Sequence, residues 1–191
     1  MKVLFASKNQ GKVREVKKIL GEAGIEVSSL AGIEDVPDVV EDRETFLDNS
    51  KKKAKEIYDK FRIPVIADDS GLSVDQLNGR PGVYSARYAG EDATDKDNNE
   101  KLISELTKLP SPHPARFISV AVYYNGNDYL SALGELKGEI ILEPRGQNGF
   151  GYDPLFIPEG YNKTLAELTL EDKNRISHRA KAFSKLKEMI I

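Results

Sequence analysis

Cysteine is absent from this chain of 191 residues. Neither a disulfide nor a thiolate metal site can therefore contribute, and a reducing, cytoplasmic home is expected. No run approaches the roughly 20 apolar residues that span a bilayer. The first residues enter a strand-like segment directly, without a long apolar signal, so membrane insertion is not expected. An excess of positive charge is missing as well: 28 Lys and Arg stand against 31 Asp and Glu, a formal net charge of −3. General attraction to nucleic acid is not expected, and any anion site must be local. Internal repeats and low-complexity tracts are also lacking. What is present, 39% hydrophobic and 31% charged residues, suits a globular protein with a substantial core, read as one continuous domain over 1–191 with two lobes.

Val3 to Ala6 read as a short buried strand, and Val13, Val16, Leu20 and Ala23 recur at the spacing of a helix that begins near Gly11. Between them lie Ser7, Lys8, Asn9, Gln10, Gly11 and Lys12, whose hydroxyl, amide and ammonium donors sit beside the open N–H groups of a helix start. Such a junction favours an anion. It is not a Walker loop, because Ala6 stands where the first glycine would fall and Val13 follows Lys12. Taken alone it is either an anion site or a polar turn.

Further along, "EVSSLAG" reads as a short strand and "IEDVPDVVEDRETF" as an acidic loop. Thr45 and Asp48 have capping-box spacing before a helix whose inner side is Phe46, Ser50, Ala54, Ile57, Tyr58 and Phe61. Lys51, Lys52, Lys53 and Lys55 then belong to its solvated face. "IPVIADDSGLSVDQL" reads as a buried strand, an acidic turn and a second strand. Thr94 and Asp97 cap a helix bearing Leu102, Ile103 and Leu106, and "LPSPHP" breaks the chain, with His113 expected to be exposed and incidental. "NGND" joins two antiparallel strands, and a final helix carries Ile176, Ala180, Phe183 and Ile190. This order of elements predicts an α/β protein with a mixed sheet.

Asp68 and Asp69 close an apolar run, and two adjacent carboxylates require compensation by cations or hydrogen bonds. Mg²⁺ would supply it, since it prefers oxygen ligands and bridges carboxylates to phosphates. Glu41 offers a third carboxylate. In "GQNGFGYDP", glycines alternate with Phe150 and Tyr152, which suits either a ligand clamp that stacks on a base or a tight turn. In "KNRISHRAKAF", Lys173, His178 and Arg179 remain available to a polar ligand whether the last helix includes all of them or starts at Ser177.

In their order and spacing, "ASKNQGKVREV", "ETFLDNSKKKA", "ADDSGLSVDQLNGRPGVYSARYAGEDATD", "NGFGYDPLF" and "ISHRAKAF" resemble the inosine triphosphate pyrophosphatase family, the Ham1-like pyrophosphatases of non-canonical purine nucleoside triphosphates. The resemblance covers nearly the whole chain. It implies an elongated mixed sheet flanked by helices, two lobes with a nucleotide cleft between them, a homodimer, and Mg²⁺-dependent hydrolysis of ITP, dITP and XTP to monophosphate and pyrophosphate. By matching positions it implies that Ser7, Lys8, Asn9, Gln10, Gly11 and Lys12 hold the phosphates and that Ser70 contacts substrate. Asp69 is implied as proton acceptor and, with Glu41, as metal ligand. Phe150, Gly151, Tyr152, Asp153, Lys173, His178 and Arg179 are implied to surround the nucleoside, with Phe150 or Tyr152 packing on the purine. His178 and Arg179 are the candidates for reading its O6. Ser7 replaces a frequent Thr of the family, and Asn148 stands where a glycine is common.

Overall fold

The computed structural model describes the whole chain, Met1–Ile191. Its strands are β1 (Lys2–Phe5), β2 (Glu26–Ser29), β3 (Val65–Val74), β4 (His113–Tyr124), β5 (Tyr129–Ile140) and β6 (Phe156–Pro158). The helices are α1 (Gln10–Gly21), α2 (Phe46–Phe61), α3 (Asp95–Leu106), α4 (Leu170–Ile176) and α5 (His178–Ile190). The strands lie in the order β2-β1-β3-β4-β5-β6. β1 pairs in parallel with β2 and β3, whereas β5 and β6 are antiparallel, so the sheet is mixed as expected. The chain forms two compact units whose boundaries fall within β3, β4 and β5 and between α4 and α5.

The first unit comprises Met1–Asp69, Ser119–Gly134 and His178–Ile191. Alternation along its strands sorts apolar side chains to two faces. Val3, Phe5, Ile66, Ala121 and Tyr123 pack with Val16 and Leu20 of α1 and Phe183 and Leu186 of α5. On the other face Leu4, Val65, Ala67, Val120 and Val122 meet Ala54 and Ile57 of α2. The Phe183 ring stands edge-on to Phe5 at 5.8 Å between centroids. Each such buried aromatic or aliphatic side chain contributes about 1.5–3 kcal/mol. The Thr45 hydroxyl caps α2 by accepting the Asp48 N–H, and Ser50 ties the helix to β4 through the Val120 carbonyl.

The second unit comprises Ser70–Ile118 and Glu135–Ser177. Its core joins Leu72, Val74, Leu102, Leu106, Phe117, Leu155, Phe156 and Leu165. Thr94 and Asp97 form the capping box expected for α3.

Three expectations change. "ADDSG" is not a turn: β3 runs unbroken from Val65 to Val74 with both aspartates inside it, because cations and amides around them compensate their charge without a chain reversal. The stripe read from Ile176 to Ile190 is split: α5 begins at His178, one residue from the alternative start at Ser177, because Ser177 adopts an extended ψ of 152° after α4. His113 is not exposed but 2% accessible at the start of β4, its Nδ1 2.7 Å from Gln76 Oε1.

Candidate active site

Because neighbouring strand residues face opposite ways, Asp68 and Asp69 are separated by the strand that carries them. Asp68 shares a face with Ile66 and the helices α1 and α5, whereas Asp69 shares the α2 face with Val65 and Ala67.

On the first face the Asp68 carboxylate accepts from Lys12 Nζ at 3.2 Å and from Arg179 Nε at 3.1 Å. Another guanidinium nitrogen of Arg179 donates to Glu15, and all three of Glu15, Asp68 and Arg179 are buried. Burial alone would raise the Asp68 pKa. The charges of Lys12, Arg179 and Lys53 outweigh it and hold the carboxyl well below the usual range. Arg179 is driven the other way: burial opposes its charge, but Asp68 and Glu15 make it more basic than an ordinary arginine. For Lys12 burial dominates and lowers the ammonium pKa, with Asp68 as the main opposing charge.

On the second face Asp69 Oδ2 accepts from Asn49 Nδ2 at 3.0 Å, while Asn49 Oδ1 takes the Arg43 N–H at 2.9 Å. Lys53 Nζ lies 2.8 Å from Glu41 Oε1, 2.6 Å from the Asp68 carbonyl and 4.0 Å from Asp69 Oδ1. Burial pushes the Asp69 pKa up to about 6, with Glu41 adding to the rise and Lys53, Lys12 and Asn49 opposing it. Burial works against the Lys53 charge, but Asp69 and Glu41 overcome it and raise its pKa. Lys53 therefore does not belong to the solvated face assigned to it. It is 7% accessible and bridges the two carboxylates expected to hold a metal.

The junction before α1 is a capped helix start. Asn9 is the N-cap, its Oδ1 accepting the Lys12 N–H at 3.1 Å, and Ser7 Oγ accepts the Asn9 N–H at 3.2 Å. The first N–H groups of a helix have no intrahelical partner, so those of Gln10 and Gly11 lie at the positive end of the α1 dipole. Lys8, Asn9 and Gln10 are exposed, and Ser7, Gly11 and Lys12 are half-buried.

In the second unit the glycine loop is organised around Asp153. This buried carboxylate accepts the Phe150 N–H at 3.0 Å and bonds Lys173 Nζ. Gly149, at φ +77°, is required there, because a Cβ would fall 2.0 Å from Asp153 Oδ2. Lys173 Nζ also stands 4.6 Å from the centroid of the half-buried Phe150 ring. Tyr152 differs from its expected place as a stacking platform: its ring joins the core and its hydroxyl donates to the Ser85 carbonyl at 2.8 Å. Burial raises its pKa. From α3, Asp95 and Asn99 both bond the backbone of Gly151. Ser70 is half-buried in β3.

The first unit thus gathers Lys12, Glu41, Asp69 and Arg179 around β3, with His178 buried at the start of α5. The second gathers Phe150, Gly151, Asp153 and Lys173. Arg179 does not stand as a simple reader of a base, since its Nε and one terminal nitrogen are engaged by Asp68 and Glu15. Glu15, Asn49, Lys53, Asp95 and Asn99 were missed from sequence. A signal existed for some: Glu15 lies three residues after Lys12, and Asn49 and Lys53 flank the inner stripe of α2 at a spacing of four.

The sequence model of the Ham1 family matches residues 3–189 of the chain. A protein of Aquifex aeolicus named dITP/XTP pyrophosphatase is 46% identical over 97% of this chain and 95% of its own length. One of Bacillus subtilis with the same name is 47% identical over 98% of this chain and 96% of its own. Among solved structures, a HAM1 protein from Coxiella burnetii superposes with a TM-score of 0.89 at 37% identity, covering 100% of this chain and 98% of that one.

Proposed function

We propose, from the premise that the chain belongs to the Ham1 family, that it hydrolyses non-canonical purine nucleoside triphosphates, namely ITP, dITP and XTP, to the monophosphate and pyrophosphate. The effect is to remove such nucleotides from the pool. The observation that carries the reading is the pair of adjacent aspartates with opposite environments, one ion-paired to Lys12 and the other buried beside Glu41 and Lys53, where its pKa is raised.

In this reading water attacks the α-phosphorus, the α–β anhydride breaks and pyrophosphate leaves. Asp69 accepts the proton of the attacking water. A carboxylate with a pKa of about 6 is matched to that task, being ionised at neutral pH yet more basic than an exposed aspartate. Asn49 fixes one of its oxygens and so its orientation. Lys12, held by Asp68, faces the charge that develops on phosphate oxygens, assisted by Ser7 and by the N–H groups that open α1. Arg179 acts behind Asp68, helping to keep it ionised, and Glu15 holds Arg179 in place.

The donor set suits a divalent ion of the hard type. Glu41 and Asp69 supply oxygens only, and no group of three or more acidic or histidine side chains converges to form a full cage. An ion held here must complete its shell with water and substrate phosphate, which is the habit of Mg²⁺. Glu41 and Asp69 would hold it, and when bound it supplies neutralisation of phosphate charge.

The second unit serves the nucleoside, with Phe150 as the ring for the purine and Lys173 and Asp153 setting that loop. His178 remains the candidate donor for O6; adenine, with an amino group there, would leave such a donor unpaired. We further propose a single catalytic domain of two lobes, a homodimer, and a cytoplasmic location. No helix is long and apolar enough to cross a membrane.

The test is a panel of nucleoside triphosphates with Mg²⁺, assayed separately for pyrophosphate and orthophosphate. Pyrophosphate from ITP and XTP, with little from ATP, is the expected result. Binding of ITP without pyrophosphate release would reduce the protein to a nucleotide-binding module.

A further inference from the structure

Gly151 sits between Phe150 and Tyr152 with φ +61°, and no atom lies within 4 Å of the position a Cβ would take. Open space therefore lies on the side a Cβ would take. Two polar groups on α3 hold the backbone of this residue. Asp95 Oδ2 accepts the Gly151 N–H at 2.7 Å, and Asn99 Nδ2 donates to the Gly151 carbonyl at 3.0 Å. The two residues are four apart, which places them on one helix face. One supplies an acceptor and the other a donor, matched to the N–H and C=O of one residue.

The Asn99 side chain gives up something to make this contact. Its Oδ1 is buried without a hydrogen-bond partner, so the carboxamide is oriented by the Gly151 carbonyl even though its own acceptor is stranded. At the neighbouring position Asn98 shows what a fully satisfied structural asparagine looks like: it accepts the Ala89 N–H and donates to the Ala86 carbonyl. The Phe150 N–H is meanwhile fixed by Asp153 and the Tyr152 hydroxyl by the Ser85 carbonyl. The Phe150 carbonyl accepts the Asp153 N–H at 3.3 Å, and α3 holds the next residue through both the N–H and the carbonyl of Gly151.

We propose that Asp95 and Asn99 are positioning residues for the nucleoside, gripping Gly151 so that Phe150 is presented in one orientation to the purine; this rests on the reading of Phe150 as the base platform. The grip acts on recognition of the nucleoside and leaves the phosphate chemistry in the first unit untouched. Loss of one such hydrogen bond at an accessible site is expected to weaken nucleoside binding by up to about tenfold.

The experiment compares wild type, Asp95→Ala, Asp95→Asn and Asn99→Asp in ITP turnover with Mg²⁺, and in product inhibition by IMP and, separately, by pyrophosphate, which has no base. The asparagine at 95 keeps an oxygen acceptor, whereas Asn99→Asp sets an oxygen against the Gly151 carbonyl. Expected are a rise of up to about tenfold in KM for ITP and in the inhibition constant of IMP for Asp95→Ala and Asn99→Asp. The pyrophosphate constant should hold, kcat should change little, and Asp95→Asn should return toward wild type. An unmoved KM and IMP constant, a parallel weakening of pyrophosphate, or an Asp95→Asn no better than Asp95→Ala overturns the proposal. So does failure of both Asp95→Ala and Asn99→Asp to fold, which would make the contact purely structural. A wild type that releases no pyrophosphate from ITP defeats the functional reading instead.

Discussion

Replacing Asp69 with Asn should remove turnover while making the metal-free protein more stable at neutral pH. Burial raises the Asp69 pKa from 3.8 to about 6, with Glu41 adding to it. Between those values the folded state binds more proton than the unfolded state, so stability falls as pH rises. The penalty is complete above about pH 6 and absent below about pH 4. A rise of about two units corresponds to roughly 3 kcal/mol. Part of this is lost in the variant, because Lys53 forfeits a counter-charge at 4.0 Å, although an asparagine oxygen can still accept from Asn49. A net gain of about 1–2 kcal/mol, or about 2–8 °C in Tm for a chain of this size, is expected at pH 8 in the presence of a chelator. Thermal scans from pH 4 to pH 8 should show the two proteins converging at the acid end. Added Mg²⁺ should stabilise the wild type and have little effect on the variant, and ITP turnover by the variant should fall by a factor of about 10² or more. A variant less stable at pH 8, or a gap that does not narrow toward pH 4, would refute the account of a strained, functionally tuned carboxyl.

Arg179→Met should cost about 3–5 kcal/mol in urea unfolding, because it strands the buried Glu15 and Asp68 carboxylates; a loss under 1 kcal/mol would show that the network is not desolvated as described. Lys12→Met should lower kcat for ITP by about 10²–10³, with a far smaller change in unfolding free energy, since Asp68 keeps its Arg179 partner. Gly149→Ala should displace Asp153 and with it the Phe150 and Lys173 contacts, destabilising the protein by about 1–3 kcal/mol and raising KM for ITP; unchanged Tm and KM would mean that the loop adapts.

Much of this was legible in the residues themselves. Thr45 and Thr94 announced two helix starts through a hydroxyl and a carboxylate three residues on, and both caps form as read. Local signals of this kind need no tertiary context. The misreadings share a cause in long-range compensation. Asp68 and Asp69 suggested a turn because adjacent carboxylates are unfavourable inside a sheet, and only contacts from residues as distant as Lys12 and Arg179 remove the objection. Lys53 reads as a surface lysine because ammonium groups usually are exposed, and its burial follows from Glu41, twelve residues away across an irregular loop. Tyr152 and Phe150 could not be distinguished as ligand platforms, since the distinction depends on the Ser85 carbonyl lying within reach of one hydroxyl.

On the proposed roles, the placement of the two aspartates lets one strand serve both halves of phosphoanhydride chemistry. A carboxylate that must hold a cationic phosphate-binding group and one that must accept a proton need opposite pKa shifts, and placed side by side in a common pocket they would each perturb the other. Strand geometry avoids this. The pleat sends Asp68 into a cluster with Lys12 and Arg179, which keeps it ionised, and sends Asp69 toward Asn49 and Glu41, where burial keeps it basic. Lys53 links the two sides through the Asp68 carbonyl and so resists a shift of register in β3. A slip of one residue would turn each carboxylate to the opposite face and put only one of them in the other's place, so the paired arrangement would be lost. Under the proposed roles, the buried, doubly compensated strand is therefore the condition for the chemistry.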